Sequence, residues 1–171
     1  VLHDKEIKRV IPRQIELIKE AHKNGSLIIF IKDTHDENAT EFKRFNGTKH
    51  CVRGTREAEV VEELKPFEKM KDTISIEKNS TSFMESPDFR KVVHKTPNVK
   101  KVDIVGCCTD ICDFNGAMGL ANYYDEWNRE VTINVHEDAI ATYSEMMRKE
   151  YVDAAKLLMK QQGIKLVKKN N

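Results

Sequence analysis

Cys107, Cys108 and Cys112, three of the chain's four cysteines, stand together in GCCTDIC, where a β-like run, KKVDIVG, gives way to an apolar helical pattern. A cysteine in the first turn of such a helix is surrounded by unpaired backbone amides and the positive end of the helix dipole. Both favour the thiolate, which is the nucleophilic form. Thr109 and Asp110 are placed to cap that turn, and the same amides can hold an oxyanion. A free cysteine is equally at home as a small core hydrophobe, and that reading stands for Cys107 and Cys108, on the buried side of the strand exit. Cys112 is set apart by its company. Lys78 closes the strand-like TISIEK. A lysine there is commonly a solvated charge, but beside a thiol it would lower the thiol pKa. Asp33 and His35 follow the apolar run SLIIFIK and, two residues apart on an extended exit, point the same way. With His50 reaching over from the next loop they would form a two-histidine, one-carboxylate metal site with open positions. The alternative is a hydrogen-bonded Asp–His pair at a loop entrance, with His50 elsewhere.

These residues need a scaffold that brings strand ends together, and the chain has the pattern for one. A helix is expected from Ile11 to Lys23, with Pro12 near its start and Gly25 just past its end. The continuous apolar run SLIIFIK predicts a strand buried on both faces. TISIEK, KKVDIVG, EVTINVHEDA and IKLV read as further strands. SPDFRKVVHK, the stretch from about Ile111 to Asn128, and SEMMRKEYVDAAKLLMKQQ read as helices between them. Alternation of this kind implies an α/β fold of three layers, α-β-α, around a mostly parallel open sheet. Ligands then sit beyond the carboxyl ends of the strands, where Asp33, His35, Lys78, GCCTDIC and Asp138 all fall. The long irregular stretch from Asp33 to about Thr55 reads as functional, and the KKNN tail as frayed.

Composition sets the outer bounds. A chain of 171 residues fits one domain over 1–171, and such a chain buries roughly 70% of its unfolded surface. Lys+Arg total 29 against 28 for Asp+Glu, so there is no field of one sign to hold nucleic acid or an anionic bilayer. No apolar run approaches a membrane span, and VLHDKEIKR is unlike a secretory signal. Adjacent cysteines make a poor disulfide framework, so the expected setting is the reduced cytoplasm. His3, His22, His94 and His136 show no comparable partners and are expected at the surface or in packing.

Taken in order along nearly the whole chain, four motifs resemble the isochorismatase-like cysteine hydrolases, nicotinamidases in particular. They are Asp33-x-His35, His50-Cys51-Val52-Arg53-Gly54-Thr55, Lys78 followed by Ser82-Phe83, and Gly106-x-x-Thr109-Asp110-x-Cys112. The resemblance implies Cys112 as nucleophile, Lys78 as its charged companion, and the amides of Cys108 and Cys112 as oxyanion hole, with a cis peptide at Cys107–Cys108. It implies a divalent ion, zinc with manganese or iron as options, on Asp33, His35 and His50, gripping the pyridine nitrogen of the substrate. Phe83 and Phe45 would then contact a small-molecule amide. The implied reaction turns nicotinamide into nicotinate and ammonia through a thioester, in a homo-oligomer by family analogy.

The sequence also departs from that pattern. Members of the family begin with a central strand whose aspartate is the general base, and nothing like it precedes the first helix here. The expectation is therefore that this strand and aspartate lie outside the sequence or come from a separate N-terminal segment, because losing a buried strand strips about 1.5 to 3 kcal/mol of packing per large side chain. Gly47 stands where an aromatic is usual before the loop histidine, Asp36 where proline is usual, and Asp113 where valine is common. Two alternatives follow: a metal-free hydrolase of the same superfamily acting on another small substrate, and an inactive interaction protein that keeps the fold.

Overall fold

The computed structural model describes residues 4–143 and 148–169. Helix α1 (Lys5–Lys23) starts earlier than Ile11 because Asp4 caps it: its carboxylate accepts the Glu6 amide at 2.8 Å. Pro12 is consequently inside the helix. Ile7, Val10, Ile11, Gln14 and Ile18 form its buried stripe. Gln14 Nε2 donates to the Ala139 carbonyl at 2.9 Å, and Arg13 pairs with Asp138 at 2.9 Å.

Five strands follow in the expected alternation among the described residues: β1 (Ile28–Asp33), β2 (Thr73–Lys78), β3 (Lys101–Cys107), β4 (Thr132–Ala141) and β5 (Lys165–Val167). All their pairings are parallel. Among the described residues they form two ladders, β1–β2 and β3–β4–β5. β1 is half-buried at every position rather than sealed on both faces, since only one of its edges is paired. The ladders share one core, in which Ile29, Ile31 and Ile74 pack against the cluster of Ile104, Leu120, Val135 and Met159. Asp138 lies inside β4, tied to Arg13 and to the Lys169 amide, and not on the rim where the sequence placed it. That amide contact also holds Lys169 in a tail expected to fray.

Short helices α2 (Glu41–Arg44) and α3 (Lys65–Glu68) break up the stretch before β2, and α4 (Pro87–Lys95) follows it. Helix α5 (Phe114–Glu126) crosses from β3 to β4, and α6 (Arg148–Gln161) leads to β5. The N-terminal part of the sequence-predicted last helix, residues 144–147, lies outside the described residues. α5 packs so closely that a Cβ on Gly116 would sit 1.8 Å from the Phe83 ring. Phe83 itself stacks edge-on with Phe89 at 4.7 Å between centroids. Phe83, expected to touch substrate, is a core residue, because the turn after β2 aims it under α5. No described helix is long and apolar enough to cross a membrane.

Candidate active site

Strand β3 ends at Cys107, and the Cys107–Cys108 peptide is cis, as the resemblance implies. The Cys108 carbonyl accepts from the Ile111 amide at 3.0 Å and the Asp113 amide at 3.1 Å. The second bond spans five residues, so Thr109–Asp113 is a π-helical turn ahead of α5. This differs from an α-helical first turn capped by Thr109 or Asp110. Thr109 is buried, and Asp110 instead accepts the Thr142 hydroxyl at 2.8 Å, binding the turn to the residue after β4.

The turn presents Cys112 Sγ to two charged groups. Lys78 Nζ lies 3.4 Å away, and the Cys112 thiol donates to Asp33 Oδ2 at 3.8 Å. Lys78 also pairs with the other Asp33 oxygen and donates to the Ser80 carbonyl at 2.8 Å. The contact arises from strand register, since Asp33 and Lys78 are direct partners at the end of the β1–β2 ladder. Asp33 is thus turned to Lys78 and, expected beside His35, is not among the clustered ligand atoms of His35, Glu41 and His50. A carboxylate next to an ammonium that is only 6% exposed answers that charge.

Burial acts against the thiolate expected at this sulfur. Burial pushes the Cys112 thiol up to about 12; Lys78 opposes this, and Asp33 and Asp113 add to it. Burial also works to lower Lys78, but Cys112 and Asp33 overcome it and hold the lysine above its usual value. The sulfur thus stands between Lys78 and Asp33, with burial favouring its neutral form and Lys78 its charged one. Cys108 shifts the other way: the neighbouring Cys107 thiol lowers it despite burial, helped by the Thr142 hydroxyl and the Tyr143 amide. Cys107 is exposed and Cys108 half-buried, so neither is the core hydrophobe expected. Asp113 is buried, with Oδ2 lacking a hydrogen-bond partner. Burial first, then Cys108, raises its carboxyl to about 8, against the pull of Lys78.

A second cluster forms on the neighbouring loop. The Thr34 amide extends the ladder by donating to the Lys78 carbonyl at 2.8 Å. His35 then pairs with the incoming loop: its amide donates to the Cys51 carbonyl at 2.9 Å, and its carbonyl accepts from Arg53 at 2.8 Å. This stitching carries His50 to 4.8 Å from His35 between ring centroids. Phe42 lies edge-on to both rings, and Phe45 stands 5.8 Å from His50. The third member is Glu41, at the start of α2, and ligand atoms of His35, Glu41 and His50 all lie within 4.8 Å of one another. Glu41 Oε1 is 3.6 Å from His35 Nε2 and 3.9 Å from His50 Nε2.

These donors fit a divalent cation. His35 is fully buried, yet its Nε2 has no hydrogen-bond partner, a costly state for a polar atom unless something else meets it. Two imidazoles and one carboxylate form a donor set that suits zinc, manganese or iron. Sequence reasoning missed Glu41, whose clue was a carboxylate between Thr40 and Phe42 in the loop that carries the histidines. His136, expected to lack a partner, lies 2.9 Å from Asp103.

The isochorismatase domain family matches residues 1–170 of the chain. An uncharacterised isochorismatase-family protein of Bacillus subtilis (strain 168) is 25% identical over 138 residues, which cover 77% of this chain and 70% of that protein. The pyrazinamidase of Pyrococcus horikoshii in complex with zinc is similar in structure, with TM-score 0.77 and 28% identity over 97% of this chain and 88% of its own. The yeast nicotinamidase bound to the inhibitor nicotinaldehyde shares the fold, with TM-score 0.79 and 16% identity over 98% and 91% of the two chains.

Proposed function

The chain belongs to the isochorismatase family of hydrolases, and on that premise we propose that it is a cysteine-dependent amidohydrolase converting nicotinamide to nicotinate and ammonia. The observation that carries this reading is the pair of contacts on one sulfur: Cys112 Sγ stands 3.4 Å from Lys78 Nζ and 3.8 Å from Asp33 Oδ2. A buried thiol with its proton aimed at a carboxylate is suited to nucleophilic attack coupled to proton transfer.

In the proposed cycle the Cys112 proton passes to Asp33 as the sulfur attacks the carboxamide carbon. The backbone amides of Cys108 and Cys112 donate to the oxyanion. Asp33 returns the proton to the nitrogen, the C–N bond breaks, and ammonia leaves a thioester on Cys112. Water then gives a proton to Asp33 and attacks the thioester carbon. The C–S bond breaks, the acid is released, and the sulfur regains its proton. Lys78 keeps the Asp33 carboxylate in place and offsets the negative charge on sulfur during attack. A divalent cation held by His35, Glu41 and His50, when bound, supplies a Lewis-acid point for the ring nitrogen of the substrate. Phe45, beside His50, offers an apolar wall to the ring.

The test is ammonia release from nicotinamide and from aliphatic carboxamides, with and without a chelator. Turnover of nicotinamide that falls on chelation and recovers with added zinc is expected. Chelator-resistant hydrolysis confined to other amides would sink the nicotinamide assignment and favour the metal-free hydrolase.

A further inference from the structure

Lys78 is the last residue of β2, and Asn79 follows it in the bend that leaves the strand. Lys78 turns to the Cys112 sulfur. Asn79 turns to the other cluster, with its Oδ1 2.9 Å from His35 Nδ1. We propose that Asn79 is a positioning residue for the cation site: its side-chain oxygen accepts the Nδ1 proton of His35 and so leaves the Nε2 lone pair facing Glu41 and His50.

The chemistry of the imidazole supports this orientation. A neutral ring carries one N–H, and the partner of one nitrogen decides which nitrogen is free to bind a metal. Were Asn79 to present its NH2 group instead, the proton would sit on Nε2. That nitrogen is buried with no hydrogen-bond acceptor in reach, the nearest Glu41 oxygen being 3.6 Å away. With Oδ1 presented, Nδ1–H is satisfied and the unpaired atom is a lone pair awaiting a cation. His50 is arranged likewise, its Nδ1 lying 3.1 Å from the Thr48 carbonyl. Asn79 itself is exposed, so replacing it leaves the core intact.

The inference rests on the reading that His35, Glu41 and His50 hold a divalent cation, and two readouts separate their failures. Zinc affinity of the metal-free full chain is measured by competition with a chromogenic chelator for wild type, Asn79→Leu and Asn79→Asp. The His35 tautomer of each metal-free protein is read by 15N-edited NMR of the ring nitrogens. Removing the acceptor in Asn79→Leu is expected to weaken zinc by about 10- to 100-fold, the range for lost outer-shell partners. Asn79→Asp keeps an acceptor and is expected to bind zinc at least as tightly as wild type. Wild-type His35 is expected as the Nδ1–H form. Equal zinc affinity in wild type and Asn79→Leu, or an Nε2–H tautomer in wild type, overturns the positioning role. No zinc binding by wild type that nevertheless shows Nδ1–H overturns the cation reading and, with it, the purpose assigned to Asn79.

Discussion

Asp33 and Lys78 are register partners across the β1–β2 ladder, and their side chains form an ion pair at the strand ends. That pairing decides which cluster Asp33 joins. Spacing alone sends its carboxylate toward His35, since residues i and i+2 share a face. A buried ammonium on the adjacent strand is the stronger claim on it, because an unanswered charge at that depth costs several kcal/mol.

Asp33→Asn separates the two roles that this carboxylate could fill. Turnover is expected to fall by about 10²- to 10⁴-fold, the usual size of a lost general acid–base, with bound zinc unchanged by elemental analysis. Glu41→Gln is expected to do the opposite and lose zinc first. Zinc lost from Asp33→Asn would restore that residue to the metal site.

The Cys112 thiol, pushed up to about 12, is expected to be almost wholly protonated near pH 7. Its alkylation by iodoacetamide, followed by peptide mapping, should therefore rise about tenfold per pH unit from 7 to 10 without levelling off. Cys108, lowered by its hydrogen-bond donors, should label ahead of it near neutrality. A plateau for Cys112 near pH 7 would mean a thiolate already formed and no need for Asp33 as base.

Asp113 links pH to stability. Its carboxyl is raised to about 8, while the unfolded chain releases that proton near 4. Between those values the folded state holds a proton that the unfolded state has lost. Stability from this group is therefore full below about pH 4 and declines by up to about 1.4 kcal/mol per pH unit until about pH 8. Asp113→Asn should flatten that slope in urea titrations run at pH 5 and pH 8. An unchanged slope would show that the carboxyl is not held neutral.

The approach of α5 to the turn after β2 is tested by two glycines. A Cβ at Gly116 meets the Phe83 ring at 1.8 Å, whereas at Gly119 it meets the flexible Met84 side chain at 2.8 Å. Gly116→Ala should cost on the order of 1–3 kcal/mol or more, and Gly119→Ala less, by chemical denaturation. Equal effects would contradict the packing.

Much of the fold was legible in the chain. TISIEK is a strand over its whole length, Thr73–Lys78, and strands alternating with helices gave the α/β class, because apolar run length and period reflect burial directly. Lys78 and Cys112 could be paired from their places at strand ends. Two things were not legible. The early start of α1 depends on Asp4 as cap, a local choice that hydrophobic periodicity does not report. Glu41 reaches the histidines through a loop whose path is set by the His35–Val52 bridge, a contact between segments and not a spacing within one.

The most direct measurement is acid quenching during nicotinamide turnover, followed by mass mapping of the cysteine peptides. A nicotinoyl thioester on Cys112, absent from Cys112→Ala together with ammonia release, is the predicted result. Ammonia released by Cys112→Ala at the wild-type rate, or an acyl group on another residue, would contradict it.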